Sequence, residues 1–104
     1  MSNKIYIAGK IPGDEHYRAK FRLLSDKLAA IGGTVLNPAE LPGGMEKADY
    51  MAICLQMLLR ADGAVFLPDW ESSPGAKIEH ALARYIGVPC WHLGDNWEGG
   101  VLNG

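Results

Sequence analysis

Four short apolar runs alternate with three segments of helical periodicity, and this alternation constrains the fold more than any other feature of the sequence. The runs are residues 5–8, 34–36, 64–67 and 88–91. Each is continuously apolar, as is typical of strands that are covered on both faces. The order β-α-β-α-β-α-β therefore predicts an α/β protein with a parallel sheet and helices on both faces.

The three intervening segments carry recognisable helix signals. In the first, apolar residues recur at helical spacing over residues 17–31 and Gly32 follows as a stop. The third begins at Ser73-Pro74, a favourable N-cap and first-turn pair, and ends at Gly87. The second spans residues 47–60, and its predicted inward face consists of Met51, Leu55, Leu58 and Leu59.

Right-handed crossovers leave few topologies for such a chain. We expect a three-layer, flavodoxin- or Rossmann-like sheet of four to five strands in the order 2-1-3-4. The direction of winding then reverses between strands one and three, and ligands bind beyond the carboxyl ends of the strands at such a reversal. The loops at residues 9–13 and 68–75 are predicted to meet there.

The length of 104 residues predicts a single domain covering residues 1–104. Its tail, from about residue 95, lacks clear periodicity. Two interpretations of the tail stay open: it is loose, or it packs against a neighbouring subunit. A domain this small with three tryptophans also favours a homodimer or a higher homo-oligomer.

Net charge and cysteine content limit the classes of binding partner and the cellular compartment that we expect. The net charge is −2 and no basic cluster occurs, which argues against a nucleic-acid polymer or a membrane surface as partner. The apolar run at residues 5–8 is too short for a signal peptide or a membrane span. Cys54 and Cys90 lie in apolar stretches and form no C-x-x-C pair, so we expect free thiols and a cytoplasmic location.

Glu79 is the strongest candidate for a catalytic residue. Small and apolar residues share its helical face, and no Lys or Arg lies three or four residues away to form a surface ion pair. A carboxylate in this setting beside the expected crevice is a candidate nucleophile. An ordinary solvated glutamate on a helix is the alternative, and the pattern alone leaves both open.

Further candidates flank strand three. Asp69 follows the strand and could orient a sugar or donate a proton, although an Asp beside Pro68 is also a common turn residue. Asp62 precedes the strand, where a turn role is favoured by position. Trp70 could stack on a base or cap the core. Tyr6 interrupts an apolar strand with a hydroxyl that needs a partner if it is buried.

The start of the third helix resembles an anion site. Ser72, Ser73 and Gly75 surround a helix N-terminus, where unpaired N–H groups and the helix dipole favour negative charge. Ser73 could equally be a plain N-cap. Gly9 and Lys10, in the first glycine-bearing loop, are predicted to contact the ligand, although the loop matches no standard nucleotide motif.

No metal or cofactor is expected. His16, His80 and His92 lack metal-ligand spacing, and the H-x-x-E-H pattern fails because Ala76 occupies its first position. The G-x-S-x-G motif of serine hydrolases is also absent.

Three stretches, residues 5–11, 35–38 and 61–83, resemble the nucleoside 2-deoxyribosyltransferase-like superfamily, and most closely its short, often phage-borne branch of domains of unknown function. The likeness covers most of residues 4–92. Its most specific part is the ending of the third stretch, G-A-x-x-E-x-x-x-A.

The resemblance implies roles for individual residues. Glu79 corresponds to the family's nucleophile, which attacks C1′ of the sugar. Tyr6 corresponds to the tyrosine that holds this carboxylate, and Asp62 corresponds to an aspartate that assists near the base or sugar. The position six before the glutamate is Asp in transferases and a phosphate-contacting Ser in nucleoside-monophosphate hydrolases. Ser73 occupies it here.

The resemblance thus implies cleavage of the N-glycosidic bond of a (deoxy)nucleoside 5′-monophosphate, with a small-molecule nucleotide as partner and no cofactor. The chain is shorter than the characterised enzymes. The C-terminal Asn that transferases lend to a neighbouring site has no secure match, although Asn96 and Asn103 are available. Two alternatives therefore stay open: a non-catalytic nucleotide-binding or sensing protein, and a nucleoside deoxyribosyltransferase.

Overall fold

The computed structural model describes residues 3–99, and within them the predicted alternation of strands and helices is confirmed. Residues 100–104, which include Asn103 and the end of the predicted tail, lie outside the described residues. The strands are β1 Asn3–Ala8, β2 Gly33–Leu36, β3 Gly63–Phe66 and β4 Cys90–His92. The helices are α1 Tyr17–Ala30, α2 Lys47–Arg60 and α3 Pro74–Ile86.

The four strands form one parallel sheet in the order β2-β1-β3-β4, as predicted. Ile5 of β1 lies opposite Val35 on one side and Gly63 on the other. The winding therefore reverses between β1 and β3, and the carboxyl ends of these two strands face the same edge of the sheet.

Strand β4 begins two residues later than predicted. The Pro89 carbonyl accepts a 2.9 Å hydrogen bond from the Ala64 N–H, but proline has no N–H with which to continue the ladder. Regular pairing therefore starts at Cys90.

Successive strand residues point to opposite faces and build two cores. Tyr6 and Ala8 face α2 and α3, whereas Ile7 packs against α1. The core on the α2–α3 face comprises Tyr6, Ala8, Cys54, Leu58, Ala64, Phe66, Ala76 and Ala83. The core on the α1 face comprises Ile7, Phe21, Leu24, Leu28, Ala39, Val65, Leu67 and Trp97. Because Trp97 packs on this chain's own core, the described part of the tail is anchored there.

The inward face of α2 differs from the prediction at two positions, Cys54 and Leu59. Cys54 and Leu58 are buried, whereas Leu59 is 47% exposed. Residues 51, 54 and 58 follow one stripe of the helix, and residue 59 lies about 100° further round it.

The ends of α3 match their sequence signals. The Ser73 side chain caps the helix, Pro74 occupies the first turn, and Gly87 ends it with a left-handed φ of 84°. None of the helices within residues 3–99 is long and apolar enough to cross a membrane.

Candidate functional site

A cavity of about 620 Å³ opens at the carboxyl end of β1, where the winding reverses. Residues from the 9–13 loop, from α2 and from the first turns of α3 form its walls. This is the position at which parallel α/β sheets bind their ligands. The predicted site residues that line it are Tyr6, Gly9, Lys10, Ser72, Ser73, Gly75 and Glu79.

Glu79 lies in the wall of this cavity and is 7% exposed. Its Oε2 accepts a 2.7 Å hydrogen bond from the Tyr6 hydroxyl, within the buried layer between sheet and helix. This burial excludes the interpretation of Glu79 as an ordinary solvated glutamate. The pairing of Tyr6 with Glu79 matches the contact that the family resemblance implies.

Burial raises the pKa of Glu79 from its usual 4.5 to about 7, because the ionised carboxylate loses water. The hydrogen bond from Tyr6 acts in the opposite direction and lowers this pKa. Burial and the nearby Glu79 carboxylate also raise the pKa of Tyr6 well above its usual value, so Tyr6 stays a hydroxyl donor at neutral pH. Glu79 can therefore exist in both protonation states near neutrality.

Cys54 is a third member of this buried group, and no functional role was predicted for it from the sequence. It projects from α2 into the cavity wall and packs with Tyr6 in the same buried core. Burial raises the pKa of its thiol, so it stays uncharged beside Glu79. The helical stripe through residues 51, 54 and 58 is the signal that could have identified it.

The first turn of α3 lies at the cavity. The Ser73 Oγ accepts a 3.3 Å hydrogen bond from the Ala76 N–H, so Ser73 is an N-cap. Pro74 has no N–H, and the Lys77 N–H donates to the Ser73 carbonyl. The Gly75 N–H is consequently the amide of this turn that remains for a ligand. Ser72 also lines the cavity, and its hydroxyl donates a 2.8 Å hydrogen bond to the Asp69 carbonyl.

Two lysines, Lys10 and Lys47, line the same cavity, together with a single carboxylate, Glu79, among the described residues. The cavity therefore combines two cations and a helix N-terminus with one buried acid. Lys47, at the start of α2, was not identified from the sequence. Its side of the cavity is otherwise largely apolar and includes Leu41, Tyr50 and Met51.

Gly9 is explained by packing within the protein. A Cβ at this position would lie 2.8 Å from the Leu67 Cδ1 and 3.2 Å from the Asp69 Oδ1. The residue must therefore be glycine for the first loop to approach β3. Its placement in the cavity wall still allows the predicted contact with a ligand.

Asp69 does not line the cavity, although it follows the carboxyl end of β3 as expected. Its Oδ1 accepts a 3.0 Å hydrogen bond from the Lys10 N–H, and its Oδ2 pairs with Lys20, which also pairs with Asp14. Asp69 thus ties the first loop to the loop after β3. The structure supports a positioning role for it in place of the predicted catalytic one.

Asp62 and Trp70 also lie away from the cavity. Asp62 is exposed at the amino end of β3, at the opposite edge of the sheet, where it accepts a 2.8 Å hydrogen bond from the Lys4 N–H. This contact lowers its pKa. Trp70 stacks on His80 with ring centroids 4.2 Å apart, on the far side of the loop from Glu79. Neither placement supports a direct role of these residues at the sugar or the base.

Within residues 3–99, no group of three or more His, Cys, Asp or Glu side chains is placed to hold a metal ion. Both cysteines are free thiols.

A family model described as "Domain of unknown function (DUF4406)" matches residues 3–91. The match spans the whole sheet apart from the last residue of β4, and it includes Tyr6, the start of α3 and Glu79. No curated protein and no solved structure gives a match.

Proposed function

The chain belongs to the DUF4406 family, a domain of unknown function, and we propose that it cleaves the N-glycosidic bond of a (deoxy)nucleoside 5′-monophosphate. The observation that carries this proposal is the buried Glu79, held by Tyr6 in the wall of a cavity that a mononucleotide would fit. A buried, oriented carboxylate is typical of glycosidase nucleophiles. The likeness to nucleoside 2-deoxyribosyltransferases supports the same assignment.

The proposed reaction proceeds in two steps. Ionised Glu79 attacks C1′, so that a bond forms between its oxygen and C1′ while the bond from C1′ to the base nitrogen breaks. The base leaves with that electron pair and takes a proton from water. A second water then attacks C1′ and gives its proton to the hydroxide left by the first, while the bond from C1′ to the Glu79 oxygen breaks, which releases the sugar 5-phosphate and restores the Glu79 carboxylate.

The phosphate is assigned to the first turn of α3. The Gly75 N–H, the Ser73 hydroxyl and the Lys10 ammonium group are the donors that this part of the chain offers to the cavity. A helix N-terminus with a nearby cation is a favourable environment for a dianion. This arrangement supports a 5′-monophosphate over an uncharged nucleoside.

A binding protein without turnover is the second candidate, and the position of the aspartates favours it. Asp62 and Asp69 both lie outside the cavity, so among the described residues Glu79 has no second carboxylate to protonate a leaving base. A nucleotide sensor needs only the cavity and the anion site. The transferase alternative shares the first step of the reaction and differs in that an acceptor base replaces water.

One experiment separates these candidates. The parent chain and Glu79→Gln are incubated with a panel of ribo- and deoxyribonucleoside 5′-monophosphates, and free base is measured by chromatography. Base release by the parent alone supports the hydrolase. Thermal stabilisation by a nucleotide without release supports the sensor, and release only with an added acceptor base supports the transferase. The absence of both binding and release would refute all three.

The cellular location is proposed to be the cytoplasm, because both cysteines are free thiols and a reducing compartment keeps them so.

A further inference from the structure

A pair of imidazoles that does not line the cavity lies between α3 and β4. His80 of α3 and His92 of β4 approach with their Nε2 atoms 2.9 Å apart. Twelve residues separate them in sequence, and parallel pairing of β4 with β3 brings them together. The pair lies at a shallow depression that also includes Glu71, Arg84 and Asp95.

We propose that His80 and His92 form a binding site for a transition-metal dication of the Zn²⁺, Ni²⁺ or Cu²⁺ class. Imidazole nitrogen is a preferred ligand of these ions. Metal–nitrogen bonds of roughly 2.0–2.1 Å place two nitrogens about 2.9 Å apart at a 90° angle and about 3.3 Å apart in a tetrahedron. The observed 2.9 Å separation lies within this range, and the two rings must turn from facing each other so that both lone pairs converge on the ion.

Aromatic packing holds the two rings in place. Trp70 stacks on His80, and Phe66 contacts both imidazoles with ring centroids 5.0 and 5.4 Å apart. Ring positions fixed in this way reduce the entropy that a metal would otherwise have to remove. His92 is exposed and His80 is half-buried, so an ion and its water ligands can reach the pair.

Groups of both charges surround His80 and His92 and affect the pKa of His80 in opposite directions. Burial, His92 and Arg84 all lower the pKa of His80, while Glu71 raises it, and the net effect favours the neutral ring that a metal requires. In the absence of metal the two rings share one N–H···N hydrogen bond. On metal binding, the ring that donates this proton shifts it from Nε2 to Nδ1 through water, so both Nε2 lone pairs become available.

The site would link α3 to β4 and would exist only in the folded chain. Metal binding should therefore raise the melting temperature in proportion to the logarithm of the metal concentration. Because the pair lies outside the cavity, the inference is independent of the proposed function.

The test uses the full chain without a polyhistidine tag, stripped with EDTA and titrated with ZnCl₂ or NiCl₂ in a calorimeter. We expect one equivalent of metal to bind and the melting temperature to rise. His80→Gln and His92→Gln should each weaken binding by at least about tenfold. His16→Gln is the matched control, since His16 is exposed at the start of α1, and should bind as the parent does.

MgCl₂ supplies the second control. An oxygen-preferring ion should cause no shift if the imidazoles are the ligands, whereas a shift would assign the effect to Glu71 and Asp95. Circular dichroism and the metal-free melting temperature establish that each variant is folded. No metal uptake by the parent, or uptake that survives both His80→Gln and His92→Gln, would overturn the proposal and leave the pair as an imidazole–imidazole hydrogen bond.

Discussion

The Tyr6 hydroxyl donates a 2.7 Å hydrogen bond to the Glu79 Oε2, and this contact joins β1 to α3 across 73 residues of sequence. It stabilises the ionised form of a carboxylate whose burial favours the protonated form. The balance between these two effects determines the pH at which Glu79 can act as a nucleophile or bind a ligand.

Tyr6→Phe should therefore shift the pH dependence of base release toward alkaline pH. Since the lost hydrogen bond lowers the pKa of Glu79, its removal raises that pKa above about 7. The kcat/KM of the parent should rise with pH to a plateau above about 7, because it reports the free enzyme. The profile of Tyr6→Phe should be displaced upward in pH. An unchanged midpoint would show that Glu79 is not the group that titrates.

Glu79→Gln should abolish base release and flatten the pH dependence of stability. The pKa of Glu79 is higher in the folded chain than in the unfolded chain, so the folded chain binds the proton more tightly. Glu79 therefore contributes to the free energy of unfolding in full below pH 4.5, and this contribution is lost as the pH rises through about 7. The loss amounts to about 3 kcal/mol in the free energy of unfolding. Urea denaturation of the parent and of Glu79→Gln between pH 4.5 and 8 measures it as the difference between the two curves.

Glu40→Gln replaces an exposed carboxylate and is the matched control for this measurement. Its stability relative to the parent should stay constant over the same pH range. A constant difference for Glu79→Gln as well would contradict the raised pKa of the buried Glu79 carboxylate.

Ser73→Asp should remove the preference for phosphorylated ligands. In the parent, one charge-assisted hydrogen bond to phosphate predicts at least about a tenfold preference for a 5′-monophosphate over its nucleoside. This follows because about 1.4 kcal/mol of binding free energy corresponds to a tenfold change in affinity. Aspartate remains a competent N-cap but repels phosphate. Calorimetric titration with nucleoside and nucleotide pairs measures the ratio. Equal affinity of the parent for nucleoside and nucleotide would contradict the proposed phosphate site and would favour the transferase over the hydrolase.

Asp69→Ala should raise KM by about tenfold, the equivalent of one charge-assisted hydrogen bond, while kcat changes little. The variant leaves the Lys10 N–H without its acceptor and removes one of the two carboxylates paired with Lys20, and so loosens the loop that lines the cavity. Asp62→Ala is the control, because Asp62 also accepts a backbone N–H but lies at the opposite edge of the sheet. A large loss of kcat in Asp69→Ala would restore its predicted catalytic role.

We propose that the protein forms a two-fold homodimer in solution. Tyr85 and Trp91 are 89% and 55% exposed, an unusual exposure for large aromatic side chains in so small a domain. Light scattering at working concentration should give twice the mass of the chain. A monomeric mass would refute the proposal.

The sequence alone determined the order of strands and helices, because continuous apolar runs and helical periodicity are local signals. Ser73-Pro74 and Gly87 likewise gave the ends of α3, since capping depends on a few neighbouring residues. The strand order followed from the handedness of crossovers, and Glu79 was placed beside the crevice by its position after the third strand.

Only the tertiary structure decided the state of each carboxylate. Glu79 is buried because Tyr6 and Cys54 come from distant segments and close over it, and no local pattern reports that desolvation. Asp69 was predicted to face the ligand, but it accepts a hydrogen bond from the Lys10 N–H and pairs with Lys20 of α1, since these contacts depend on how distant segments approach. The contact between His80 and His92 arises in the same way, because it depends on how α3 packs beside β4.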